Sequence, residues 1–377
     1  MTSRQRLDTV LRGDIPDCVP VAPDTSNMIP ARLTGKPFWD LYLYKDPPIW
    51  KAYIDCVKYF GFDSLMDGYV PILFDELGEI DFEWVEAIVF RSDDRIVTQR
   101  YKKALNYIEW APRVMIYYRD NPPQSADPAT INLPQIPNTY EKIESVREWP
   151  TGEALLKLAK DELGDMGLVG VHGGLSTLLF NETDVYNYYE NPDEYHKKRD
   201  YLLEYYQKRF NKLMSLDCKP DFICTGASGS LIFQSPAIFR ELALPIVKMV
   251  TALCKQAGIP SHIHSCGPEA ALVKIAAEET DLTVIDPLEI APMGDSDLRE
   301  LKRLYGSKIV LKGNLHTTNI MLNGSVKDVV EASKRAIDDA AEGGRFILST
   351  GDQCGRDTPD DNIFAMIETA RTYGRYR

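Results

Sequence analysis

The sequence predicts an α/β protein: a single (β/α)8 TIM barrel over residues 1–377, with a β-rich insertion at about 70–150 after the second strand. Three observations carry this. From about residue 166 onward, short β-branched runs alternate with amphipathic segments at a steady interval, the pattern of parallel strands joined by crossover helices. Six such runs in the second half and two in the first make eight units, enough to close parallel strands that are buried on both faces. A length of 377 residues also holds a barrel of about 250 residues plus a long insertion. An open doubly wound sheet is the alternative.

In chain order, residues 18–21 read as the first strand. A helix follows over 47–60, with Ile54, Val57 and Phe60 inward, and then a strand over 62–66. Residues 70–150 break into β-rich, Pro-rich sequence, with a hairpin turning at Ser92-Asp93-Asp94 and loops through Asn121-Pro122-Pro123 and Asn132-Leu133-Pro134. Placed after a strand end, this insertion would roof a pocket; a loop without function is the competing reading. The remaining strands are expected at 168–172, 221–224, 261–264, 282–285, 308–311 and 345–349. Between the third and fourth of the eight strands lie seven tyrosines, at 186, 188, 189, 195, 201, 205 and 206, which suit a helix outer layer or a homodimer contact better than a ligand cage. The helix opened by Ser325 carries Val326, Val329, Val330, Ser333, Ala336, Ile337 and Ala340 at three-four spacing and closes at Gly343-Gly344. The last helix takes Asp360 or Asp361 as its cap and buries Ile363, Met366, Ile367 and Ala370.

Composition narrows the function. With 43 Lys and Arg against 56 Asp and Glu, the net charge of −13 repels nucleic-acid backbones and anionic membrane surfaces. No run approaches the roughly 18 apolar residues of a membrane span, and the opening Met1-Thr2-Ser3-Arg4-Gln5-Arg6 leads into no signal-peptide core, so a cytoplasmic protein is expected. Seven scattered cysteines make no disulfide framework; in a reducing compartment they are buried thiols or metal ligands.

The most informative stretch is Pro260-Ser261-His262-Ile263-His264-Ser265-Cys266-Gly267-Pro268. Alternate residues of a strand face the same way, so His264 and Cys266 can both reach the mouth of a barrel as the strand runs out. After the last strand, Gly351-Asp352-Gln353-Cys354-Gly355 brings a second cysteine to the same face. One imidazole and two thiolates form a borderline-soft set that favours Zn²⁺ and leaves a tetrahedral position open for a reactant. A His-x-Cys on a strand, taken by itself, is more commonly core.

These residues also carry a resemblance. His264-Ser265-Cys266-Gly267, Lys312-Gly313-Asn314-Leu315, and Cys354 with Thr358-Pro359-Asp360-Asp361-Asn362-Ile363 resemble the uroporphyrinogen decarboxylase superfamily, in its corrinoid-dependent methyltransferase branch. The likeness starts at Arg6 to Val21, where Leu11-Arg12-Gly13-Asp14-Ile15-Pro16-Asp17 leads into the opening strand, and runs to Tyr373-Gly374-Arg375-Tyr376. The insertion matches poorly. The resemblance implies zinc on His264, Cys266 and Cys354, and a corrinoid (cobalamin) carried by a separate protein, since no Asp-x-His-x-x-Gly segment for binding it occurs here. It implies a methyltransferase moving a methyl group between a small methylated substrate or thiol acceptor and cobalt. The alternative is a metal-free lyase of the decarboxylase type. The decarboxylases carry an arginine-rich opening loop that binds the carboxylates of the tetrapyrrole, and Ala22-Pro23-Asp24-Thr25-Ser26-Asn27 has no arginine there.

Other residues fall near the same mouth. Glu289 is a candidate fourth ligand or a rim carboxylate, and His262, one strand step deeper, is a core or supporting histidine rather than a ligand. Asp352 would orient His264 or a substrate group. His316 would contact substrate or corrinoid and Asn314 would hold its loop, a turn role fitting both equally. His172, before Gly173-Gly174, suits a pocket lining, and Asp24 a polar substrate contact.

Overall fold

The computed structural model describes residues 1–80, 83–103, 107–144, 147–226 and 228–376. Its strands are β1 (Ser64–Met66), β2 (Val85–Arg91), β3 (Arg95–Lys103), β4 (Ile108–Tyr118), β5 (Gln124–Ala126), β6 (Glu141–Lys142), β7 (Gly167–His172), β8 (Phe222–Cys224), β9 (Ser261–His264), β10 (Val284–Asp286), β11 (Val310–Leu315) and β12 (Phe346–Thr350). Seven of them form one curled parallel sheet in the order β1-β7-β8-β9-β10-β11-β12, with helices between successive strands, so the α/β class and the alternating pattern hold.

The segment expected as the first strand differs. Residues 18–21 make only isolated bridges, Cys18 to Arg375 and Val21 to Leu348, because Pro20 lacks a donor and the paired run is too short for a ladder. It nevertheless bonds to both sheet edges. On one side Leu348 N donates to Pro20 O and Ala22 N to Leu348 O; on the other Asp63 N donates to Val21 O, and Val21 N to the Asp63 carboxylate.

Strand alternation sorts the inner face of this sheet into layers. Leu168, Phe222, Val284, Val310, Ile347 and Ala22 pack with Leu7, Val10 and Leu11 of the helix Ser3–Leu11, sealing one end with apolar side chains. Two residues further along the same strands stand Cys224, Asp286, Lys312, Ser349 and, past the seam, Asp24. The polar layer therefore lies directly above the apolar one.

The chain divides into two compact units. The first comprises Met1–Asp24, Val57–Ile72 and Thr151–Arg377. The second comprises Thr25–Cys56 and Leu73–Pro150, and so includes a stretch before the first sheet strand as well as most of the β-rich segment. There β2 to β6 form an antiparallel sheet in the order β5-β4-β3-β2-β6, and Ser92-Asp93-Asp94 turns between β2 and β3 with Ser92 N donating to Arg95 O. Val97, Val114 and Ile116 are buried on one face of this sheet, Ile88, Ile96 and Tyr117 on the other.

Two helix details correct the sequence reading. The last helix, Asp360–Thr372, is preceded by Pro359 at the cap position, and Asp360 and Asp361 sit in its first turn, where the helix dipole favours carboxylates. In the helix Val326–Ala340 the Ser325 cap is present as a capping box with Asp328, but Val326 is exposed, because the first helical residue lies beyond the edge of the buried stripe. Of the seven tyrosines, 188, 195 and 206 are buried and 186, 189 and 201 are exposed, on the helices Glu182–Glu190 and Pro192–Ser215.

Candidate active site

The site is built where β9, β10, β11 and β12 end. β9 carries His262 and His264, and the parallel register sets His264 beside Asp286 at the end of β10. Asp286 Oδ1 lies 2.9 Å from His262 Nε2 and 3.1 Å from His264 Nδ1, while Oδ2 meets the Lys312 ammonium from β11. Burial opposes ionisation of Asp286, but Lys312 and the two imidazoles outweigh it and hold the carboxyl well below its usual range. The same contact works in reverse: burial would lower His264, yet Asp286 raises it to about 9.

With Nδ1 fixed, His264 turns Nε2 toward the mouth, 3.5 Å from Asp352 Oδ1. Two groups of ligating atoms meet there, each within 4.8 Å: Asp24, His264 and Asp352, and Cys266, Glu289 and Asp352. Asp352 belongs to both. It adopts φ 95° at the turn after β12, and burial raises its carboxyl above the usual value. Burial, and then Asp352, likewise push the Cys266 thiol up.

Cys354 belongs to neither group. Its backbone N donates to Asp24 O, its side chain lies among Thr350 and Thr358, and burial followed by the Asp24 charge pushes its thiol up to about 12. Glu289, buried, accepts from Gly267 N at 2.5 Å, and so braces the turn after Cys266 while facing the second group. Asn314 Nδ2 donates to Leu288 O, tying β11 to the loop before Glu289. His316 Nδ1 accepts from Thr318 N and Asn319 N, so its ring caps a helical turn, and with Glu289, Asn314 and Gly351 it also lines a small cleft. His262 is buried against Asp286, and His172 lies beyond it at the end of β7.

Three members of the site carry no assignment from sequence alone. Asp286 was visible only as the start of Asp286-Pro287-Leu288-Glu289, and Lys312 as part of a motif; a lysine inside the otherwise apolar Val310–Leu315 was the available signal. Glu269 is the third. Its Oε2 accepts from Leu288 N and Glu289 N, and burial keeps its carboxyl well above the usual value.

Comparison with known proteins adds the ancestry of this arrangement. The profile of uroporphyrinogen decarboxylase (URO-D) matches residues 115–373, more than two thirds of the chain and every strand of the parallel sheet except β1. The chain belongs to the uroporphyrinogen decarboxylase family. Residues 6–21, which open the resemblance, lie before the matched span. The methylcobamide:CoM methyltransferases MtbA of Methanosarcina mazei and Methanosarcina acetivorans are 25% and 26% identical to this chain over 137 residues. The alignment spans 36% of the chain and 37% of each relative's length. A solved methyltransferase from Methanosarcina mazei shares the fold, with a TM-score of 0.63 at 14% identity over 99% of both chains.

Proposed function

We propose that this chain is a methyltransferase that moves a methyl group between the cobalt of a corrinoid on a separate carrier protein and a small methyl donor or thiol acceptor. In this reading His264, Cys266 and Cys354 would hold Zn²⁺, with Glu289 or an incoming reactant as the fourth ligand. The curled sheet with its bonded seam is read as a closed (β/α)8 barrel. One observation carries the proposal: His264 has one ring nitrogen tied to a buried carboxylate and the other facing a mouth where Cys266 also converges on Asp352.

The donors fit a borderline-soft dication. A metal-binding imidazole normally gives its second nitrogen to a carboxylate, which is the His264–Asp286 pair. The thiols of Cys266 and Cys354 are held protonated by burial and by neighbouring carboxylates, a penalty that a nearby dication reverses. When bound, Zn²⁺ supplies Lewis acidity, making a thiol anionic or polarising the atom that carries the methyl group.

The chain's own residues do the rest. Lys312 and His262 fix Asp286, and Asp286 fixes the imidazole of His264. Glu289 and Glu269 hold the two turns that bring Cys266 and the end of β10 together. Asp352 is placed to take the proton that an incoming thiol gives up, since burial raises its basicity. A mouth ringed by Asp24, Glu289 and Asp352 repels a polycarboxylate substrate, which disfavours decarboxylase chemistry.

Metal analysis of the purified chain beside Cys266→Ala and Cys354→Ala tests the site. Each variant is expected to lose about one equivalent of zinc and the ability to change the cobalt absorbance of a corrinoid carrier mixed with methyl donors or thiols. Zinc content that stays the same in both variants would sink the proposal.

A further inference from the structure

Behind the mouth lies a second convergence of ligand atoms, of which the proposed reaction uses only the Nε2 face of His262, as a brace for Asp286. His172, Cys224 and His262 are register neighbours across three adjacent parallel strands: His172 pairs with Cys224 between β7 and β8, and Cys224 pairs with His262 between β8 and β9. Paired residues of parallel strands project to the same side of the sheet. Asp67, directly after β1, completes the row from the far side. The ligand atoms of Asp67, Cys224 and His262 all lie within 4.8 Å of one another, and His172 lies against the Cys224 thiol.

Two buried atoms in this row make no hydrogen bond. His262 is 4% exposed, its Nε2 is bonded to Asp286, and its Nδ1 has no hydrogen bond, although Asp67 Oδ2 stands 3.5 Å away. Asp67 Oδ1 is also buried and unbonded. Burying a polar atom without a hydrogen bond is destabilising, so two such atoms aimed into one space ask for a common partner. Ligand atoms at about 2.0–2.3 Å from a tetrahedral ion lie roughly 3.3–3.8 Å apart, close to the His262–Asp67 spacing already present.

We propose that Asp67, His172, Cys224 and His262 form a second, buried metal site that takes Zn²⁺. Two imidazoles, one thiolate and one carboxylate give four donors of the types zinc prefers, and the two anions cancel the charge of the dication in a buried setting. Binding needs Cys224 as thiolate and both imidazoles neutral, so the protons that Cys224, His172 and His262 carry leave to solvent as the ion enters, and the two unbonded atoms become ligands. His172, exposed at the end of β7, supplies an entry path, while Cys224 and His262 are held inside β8 and β9. Asp286 backs this site through His262 Nε2 and the mouth through His264 Nδ1, so one carboxylate orients an imidazole toward each. The site does not rest on the proposed methyl transfer, because none of its four ligands is shared with the mouth.

The test uses the full chain, stripped with a chelator and titrated with Co²⁺ as a spectroscopic stand-in for Zn²⁺. The expected result is a sulfur-to-cobalt charge-transfer band that persists in the Cys266→Ser, Cys354→Ser double variant at about one ion per chain and disappears when Cys224→Ser is added. Asp67→Asn in the same background is expected to weaken Co²⁺ binding about tenfold or more, and serves as the arm to read if Cys224→Ser does not fold. A folded double variant that takes up neither Co²⁺ nor Zn²⁺ overturns the proposal, as does a band unchanged by Cys224→Ser or an affinity unchanged by Asp67→Asn. Should the double variant not fold, the wild type decides: metal content that falls with Cys224→Ser supports the site, and content that falls only with Cys266→Ser overturns it.

Discussion

Asp286 is the residue on which the most charges depend: two carboxylate oxygens face His262, His264 and the Lys312 ammonium in a buried layer. Asp286→Asn keeps the shape and removes the charge, leaving Lys312 buried without its counter-ion. Breaking such a pair costs about 3–5 kcal/mol, so the urea midpoint is expected to fall accordingly and zinc affinity to drop on the order of 10- to 100-fold. A loss of stability below about 1 kcal/mol would contradict the role assigned to it. His264, Cys266 and Asp352 were legible in the sequence because strand alternation and proximity to strand ends are local properties. Asp286 and Lys312 were not, because their meaning comes from register: residue 286 matters only once β10 is set beside β9 with Asp286 opposite His264. Cys354 was legible as a thiol at the correct end of the fold, and its immediate neighbours, Thr350, Thr358 and Asp24, appear only in three dimensions.

Among the elements, β7 and β8 are tied at their entry by Asp221, whose carboxylate accepts from Val169 N and pairs with Arg4 and Lys160. Burial pushes this carboxyl up, but the Arg4, Lys160 and Val169 donors outweigh it and leave it below its ordinary value. A group depressed on folding contributes stability that is present above its unfolded value, near pH 4, and is lost as pH falls through the folded value. Asp221→Asn is therefore expected to cost about 1–3 kcal/mol at pH 7, and the gap from the wild type to shrink below about pH 4 in urea unfolding at the two pH values. A gap that widens in acid would refute the assignment. The elements that the sequence placed well are those with strong local patterning: β9 matches residue for residue, and Ser325 caps its helix through a box completed three residues later. Where it erred, as with the strand at 18–21 and the cap at Asp360 or Asp361, the deciding partners were distant or a proline changed the local donor count.

For the molecule as a whole, a metal that binds only the folded chain adds stability by mass action, about 2.7 kcal/mol per site when free ion exceeds its dissociation constant a hundredfold. Chelation is expected to lower Tm by several degrees in scanning calorimetry, with recovery on adding Zn²⁺; a Tm indifferent to both treatments would count against metal at either place. The alternation of strands and helices made the α/β class readable across the whole sequence, whereas the grouping of Thr25–Cys56 with Leu73–Pro150 was not, since nothing in either segment names the other. The seam has its own consequence. Ser349 bonds to Ala22 across a separation of 327 positions, with Leu348 bonding to Pro20 and Ala22 beside it, so during synthesis the edge of residues 20–22 that faces away from β1 stays unpaired until β12 has emerged. Throughout synthesis the nascent chain carries an open strand edge that invites the wrong neighbour, which makes the last step of folding the one most in need of chaperone shelter.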